Sequence, residues 1–407
     1  MDALPLKIST ISPIYSPLSL VTGIDQSSQT YLELLNRLAE HNIYSCGIHA
    51  QHKQQDYLSI ARDTRDNRLM LWQDPQYPEL KIHVFANNIA IVELALNLDS
   101  QLSADELVAQ SQLQTSELIA QIYPRFIASI QQSLVKLQSA RVLLSKEHSH
   151  KPLIYWTTRA IKLSKEDVQQ EATQALLKNW LKDTRRPADA DDIIAGRQDY
   201  SLTWLNYVLV DPLNTGDDPR LSSMILAQYF YTAQENCNNM LKQAIDGAYN
   251  TKKHSETSKK LAQSRVVARL HQVDYHEHLK YLNRYKRQIL DDILLGWDFE
   301  SLIENGQRMI EVCSSRLQEE DNKKRERSTV MTDLLLVTLS FFTVFELSLY
   351  LTEFSREMMS RPALDYNDEN RSFFLQFIAE VDADIMFGFG FILTFLLIIL
   401  YKFIKAK

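Results

Sequence analysis

Glycine is scarce in this chain, nine among 407 residues. That excludes collagen-like and Gly-rich classes. It also leaves out the clustered glycines with which Rossmann and P-loop enzymes hold phosphate. Cysteine is scarcer still: Cys46, Cys237 and Cys313 lie far apart. They form neither a CxxC metal pair nor a disulfide framework, and a reducing compartment is expected. There is no excess of positive charge, since 44 Lys and Arg stand against 51 Asp and Glu for a net charge of −7. That argues against a partner that is a nucleic-acid polymer. HExxH, nucleophile-elbow, Walker and kinase motifs are missing, so the chain is not expected to be an enzyme. The N-terminus has no cationic stretch followed by an apolar one, and no signal peptide is expected.

What is present is apolar mass, unevenly spread. The chain is 45 % hydrophobic and 23 % charged, enough for a buried core and two or three domains. The densest part lies at the C-terminus. Residues 329–351 read TVMTDLLLVTLSFFTVFELSLYL, with Asp333 and Glu346 the only charges, and residues 385–403 read IMFGFGFILTFLLIILYKF. Each fits the ~20 residues that cross ~30 Å of hydrocarbon as a helix, and neither carries a solvent-facing polar stripe. Lys323, Lys324, Arg325 and Arg327 precede the first span, and Lys402, Lys405 and Lys407 close the second. Basic flanks mark the cytoplasmic side, so both termini are expected inside, with the acidic loop 352–384 outside.

The body before the spans divides by character. Over residues 1–217 helical and strand patterns alternate, predicting a cytoplasmic α+β domain. Helices are expected at Ser28–Glu40, from Ser103 to about Ser145 with a break or kink at Pro124, and at Glu166–Lys182. Strands are expected at Ile43–His49, Arg68–Trp72, Leu80–Ala86, Ile89–Leu98, Leu153–Ile161 and Ser201–Val210. Asn87-Asn88 should turn a tight hairpin, because Asn tolerates positive φ. Ser103 ahead of Asp105 and Glu106 reads as a helix N-cap. The segment RRPADADD, 185–192, reads as a polar linker or exposed loop.

From 218 to 328 strand signals vanish and long helices are expected at Leu221–Tyr249, Thr257–Leu295 and Phe299–Leu351, the last running from a stalk into the first span. Tyr275, Leu279, Leu282, Ile289 and Ile293 recur at helix-packing spacings. The fold class is therefore a cytoplasmic α+β domain (1–217), a helical stalk region (218–328), a first transmembrane helix (329–351), an outside loop (352–384) and a second transmembrane helix (385–403).

This layout resembles the CorA-type metal-ion transporters over residues 221–407. Val330–Phe345, VMTDLLLVTLSFFTVF, is similar to the apolar Met-x-x-Leu-Thr start of that family's first span, and Arg361-Pro362-Ala363-Leu364 is loosely similar to its loop Met-Pro-Glu-Leu. The family's Gly-Met-Asn at the outer end of the first span is replaced here by ELSLYLTEF, 346–354. The resemblance thus carries the architecture and not the ion-binding motif. It implies a closed homo-oligomer, a pore lined by the first span and, as in divergent CorA-like proteins without the motif, a membrane effector of bacterial defence gated by a small cytoplasmic ligand. The inner membrane of a bacterium is the implied location. A weaker resemblance is to mitochondrial and fungal anchored proteins with a glutamate late in a C-terminal span.

Glu346 is the sharpest single residue. A carboxylate within an apolar span costs ~2.5–3.5 kcal/mol on insertion scales and turns to a pore, a partner or a cavity; it could equally mark the outer interface. Thr338 and Thr343 could add hydroxyls to a pore wall, or serve helix packing. Gly388 and Gly390 allow close helix approach or a hinge. His271, Asp274 and His278, at i, i+3 and i+7, could hold a divalent cation, the one cofactor the spacing admits; the alternative is a surface or seam face. The pairs His49/His52 and His148/His150 are weaker. Basic clusters at Lys252-Lys253, Lys259-Lys260 and Arg284–Arg287 fit phosphate-bearing ligands, anionic lipid headgroups or solvated helix surface. Two function classes stand beside each other: a ligand-sensing, homo-oligomeric pore protein in the lipid bilayer, and a membrane-anchored scaffold that conducts nothing. An anchored enzyme is a third.

Overall fold

The computed structural model describes residues 5–20, 43–44, 70–74, 76–85, 87–134, 142–144, 151–202, 205–212, 218–250, 254–280, 282–360, 373–381 and 383–405. The helix expected at 28–40 and the pairs His49/His52 and His148/His150 lie outside these residues. The chain forms two compact units, Met1–Ser314 and Ser315–Lys407.

The first unit is built on a mixed sheet. Its described strands are β1 (Leu6–Leu20), β2 (Ile43–Tyr44), β3 (Met70–Gln73), β4 (Leu80–Val84), β5 (Asn87–Leu98), β6 (Val142–Leu144), β7 (Thr158–Leu163), β8 (Tyr200–Leu202) and β9 (Asn206–Val210). Their order is β2-β3-β4-β5-β1-β7-β9-β8, with β6 also on β1. β7 and β9 run parallel; the other described pairings are antiparallel. Strand alternation sends Ile8 and Ile14 of β1 to one face and Ile11 to the other. The hairpin between β4 and β5 turns where Asn88 takes a φ of 64° and the Phe85 N–H donates to the Ile89 carbonyl at 2.9 Å.

Helices cover both faces. On one lie α1 (Ala104–Leu134), α2 (Lys165–Val168), α3 (Glu171–Leu181) and α4 (Asp189–Ile194). Leu107, Ile122 and Phe126 of α1 and Leu177 and Trp180 of α3 pack there on Ile8, Val92 and Ile161. On the other lie α5 (Pro219–Asn250), α7 (Arg284–Gly296) and the start of α8 (Phe299–Ser360), with α6 (His254–Leu279) against α5. Met224, Phe230, Ile289 and Phe299 form that core with Ile11 and Tyr207. The Trp180 indole N–H donates to the Tyr207 carbonyl at 3.1 Å, tying α3 to β9.

Several expectations need correction, each for a physical reason. α1 is not split at Pro124 but continues through it, because Ile122, Tyr123, Phe126 and Ile127 around it are all buried; that packing outweighs the ~3 kcal/mol an interior proline costs. The helix does not reach Ser145, because Val142–Leu144 pairs with Leu18–Leu20 as a strand. The expected strand at 153 begins only at Thr158. Opposite it stands Pro13, which has no N–H to give; contact there is limited to a bridge at Ile14 and Ile154, where the Tyr15 N–H donates to the Leu153 carbonyl and the Tyr155 N–H to the Pro13 carbonyl, each at 3.0 Å. The segment expected as a linker or loop instead leads into α4, which starts at Asp189, buried and accepting from the Ser201 hydroxyl at 2.8 Å. The helix expected over 257–295 is broken before Arg284, where the Asn283 side chain accepts from the Lys286 N–H at 2.7 Å.

The second unit contains α8 from Ser315 onward, α9 (Phe373–Glu380) and α10 (Ala383–Lys405). α8 has 62 residues and is, among the described residues, the helix long and apolar enough to cross a membrane; none of its most apolar stretch is buried. α10 is apolar over Asp384–Leu396.

Candidate functional site

In the second unit α8 and α10 meet along one face of each. Phe341, Val344, Phe345 and Ser348 of α8 enclose a small space with Phe387, Gly390, Phe391 and Thr394 of α10. The rings meet edge to face: Phe341 with Phe391 at 5.6 Å and Phe345 with Phe387 at 4.9 Å between centroids. Gly390 lies directly against Val344 and Ser348 of α8. Thr352 and Ser355, at helical spacing from Ser348, continue the buried side of α8. Of the two glycines singled out in the sequence, Gly390 therefore packs, while a Cβ at Gly388 would meet nothing.

Glu346 is exposed and lies away from this contact. At 100° per residue it stands roughly 150° round α8 from the residues that face α10. Tyr350, Glu353 and Glu357 follow it at +4, +7 and +11, and all are exposed. Because α8 continues to Ser360, where a loop is expected from 352, these carboxylates join Glu346 on one side of one helix. The spacing is legible in the sequence once the helix extends past residue 352.

Thr343, three residues before Glu346, belongs to the same side, whereas Thr338 sits at the shoulder between that side and the α10 contact. Both hydroxyls donate to their own helix at 2.8 Å, Thr338 to the Leu334 carbonyl and Thr343 to the Leu339 carbonyl. The polar character of this side thus rests on carboxylates.

The chain matches no family model, no curated protein and no solved structure.

The three residues of the expected metal face separate in the first unit. His271 and His278 turn inward on α6, while Asp274 is exposed. The buried side of α6 has Tyr275 between the two histidines, and both rings lie within 6.2 Å of the Phe230 ring. Burial pushes each imidazole down to about 4, so both are neutral at pH 7. Among the described residues no group of three or more His, Cys, Asp or Glu is placed to hold a metal ion. Cys237 and Cys313 are buried and unpaired as thiols; burial pushes the Cys237 thiol up to about 12, which keeps it inert at neutral pH.

Proposed function

We propose that the chain is the subunit of a homo-oligomeric bacterial inner-membrane protein, CorA-like in layout, in which the α+β unit on the cytoplasmic side senses a small ligand and controls a cation-attracting pore lined by the first span. The observation that carries this is the side of α8 bearing Glu346, Glu353 and Glu357, set opposite the side that packs on α10. In a ring of four or five copies with α10 outermost, that side faces the axis. Glu346 then sits within the apolar part of the span and the other two toward its outer end. Rings of carboxylates of this kind draw cations and repel anions. α10 is the second span in this reading, and the basic flanks put both termini inside.

The rival is a membrane-anchored scaffold without conductance. Its support is the apolar remainder of the same side: Leu339, Phe342 and Tyr350 are exposed there too, and apolar residues suit lipid or a partner helix. The mass of the full chain in detergent, followed by flux in liposomes, separates the two. Two spans cannot enclose a pore in one copy, so a monomer overturns the pore. A closed oligomer that conducts cations supports it, and an oligomer with no flux under any ligand leaves the scaffold.

A further inference from the structure

We infer that helix α6 carries a second interface, a two-fold contact in which α6 of one copy packs antiparallel on α6 of another. It goes beyond the pore and does not depend on it.

The observation is a helix that is apolar on both sides. Leu261, Ser264, Ala268, His271, Tyr275 and His278 are buried within the first unit at alternating spacings of three and four. Val266, Leu270 and Val273 repeat at four and three on the opposite side, and are 49 %, 41 % and 51 % exposed. An apolar stripe at this spacing is a seam for a partner helix.

Charge names the partner. Along the same exposed side Lys259 precedes the stripe and Glu277 follows it, and both are exposed. They stand 18 residues apart, or about 27 Å along the helix, and their midpoint falls level with Ala268. An antiparallel copy centred there sets Leu270 against Val266 of the second copy, and Lys259 against its Glu277, twice over. On one flank Asp274 comes beside Lys260 of the second copy. A parallel pair would instead oppose Lys259 to itself and Glu277 to itself. A surface that is complementary to itself in this way makes an isologous contact. Like charges approach at three places, Arg269 with its own copy, Glu256 with Glu277 of the second copy and Lys280 with its Lys259, all at exposed positions where solvent screening keeps the repulsion small. Two-fold contacts need an even number of copies, so of four or five they select four, with the first units joined as two pairs.

The test uses the full chain in detergent in a Cys46→Ser background, Cys237 and Cys313 being buried. One tagged chain carries Val266→Cys and a second, differently tagged, carries Leu270→Cys; they are co-expressed and oxidised. A mixed disulfide-linked pair is the expected product. Lys259→Glu in both chains should lower its yield at least threefold, and Glu277→Lys likewise, while the two changes together restore it. Absence of the mixed product overturns the contact, as does a double reversal no better than the single ones. A stripe whose cysteines resist a soluble maleimide without linking two chains would be covered by its own chain, which also overturns it. Because linkage is read at α6, it forms or fails whether or not the spans enclose a pore.

Discussion

A Cβ built on Gly390 would stand 3.2 Å from Val344 Cγ1. That is tighter than ordinary contact, so an alanine requires Val344 to give by a few tenths of an ångström, and a larger side chain requires the helices to part. Gly390→Ala is expected to be tolerated. Gly390→Leu should lower stability in detergent by roughly 1–3 kcal/mol through overpacking. Gly388→Ala, which meets nothing, is the matched control. Thermal unfolding of the three proteins side by side checks the order.

Glu346→Gln keeps the shape of the side chain and removes its charge. If the pore proposal holds, cation flux in liposomes falls several-fold with oligomer mass unchanged, and Glu346→Lys lowers it further because the ring then repels the ion. Glu353→Gln combined with Glu357→Gln should have a smaller effect of the same sign, since those carboxylates lie toward the wetter end. Unchanged flux in all three removes α8 as the pore wall.

Topology is open to labelling. A cysteine introduced at Asp368 should react with an impermeant maleimide from outside the cell, following the basic flanks at 323–327 and 402–407. Reaction from the cytoplasmic side alone would reverse the orientation.

The first unit should lose stability in mild acid. His271 and His278 are pushed down to about 4 by burial, from an ordinary value of 6.5. Between those values the unfolded chain binds more protons than the folded one, so stability falls as the pH drops from 6.5 toward 4. At pH 5 each histidine contributes a loss on the order of 2 kcal/mol. Thermal unfolding at pH 7.5 and pH 5 measures it, and His278→Leu should flatten the difference.

Gly306 on α8 faces an amide pair on α5. An added Cβ would lie 2.6 Å from both Asn238 Oδ1 and Gln234 Nε2. Those two bond each other at 2.9 Å, and the Asn238 amide donates to the Leu302 carbonyl at 2.9 Å. Alanine favours the helix by ~1 kcal/mol, but here it must break a buried polar network. Gly306→Ala is expected to cost a net 1–2 kcal/mol or so, readable as a lower midpoint in urea.

Features decided by neighbours in the chain were legible. The Asn87-Asn88 hairpin and the Ser103 cap, where the Ser103 N–H donates to Glu106 Oε2 at 2.9 Å, are local chemistry. What needed the fold was not legible: the strand at Val142–Leu144 exists because β1 offers it an edge, and α1 survives Pro124 because the sheet buries the residues around it. The expected seam on α6 began at Tyr275, where apolar spacing is densest; its buried side uses Ser264, Ala268 and two histidines, which no apolar count selects. Glu346 stood out by its cost in lipid, but Glu353 and Glu357 joined it only once the helix was seen to run on to Ser360.

The sheet also determines how this protein can be watched. All five tryptophans precede Ser315, and Trp72, Trp180 and Trp297 are buried in the first unit. Selectively excited tryptophan emission from an intact, lipid-reconstituted sample therefore originates wholly outside the apolar helices. A shift of that emission to longer wavelength reports loosening of the sheet and its helices alone. A tryptophan placed at Tyr350 would supply a second signal, distinguishable by its quenching with brominated lipid.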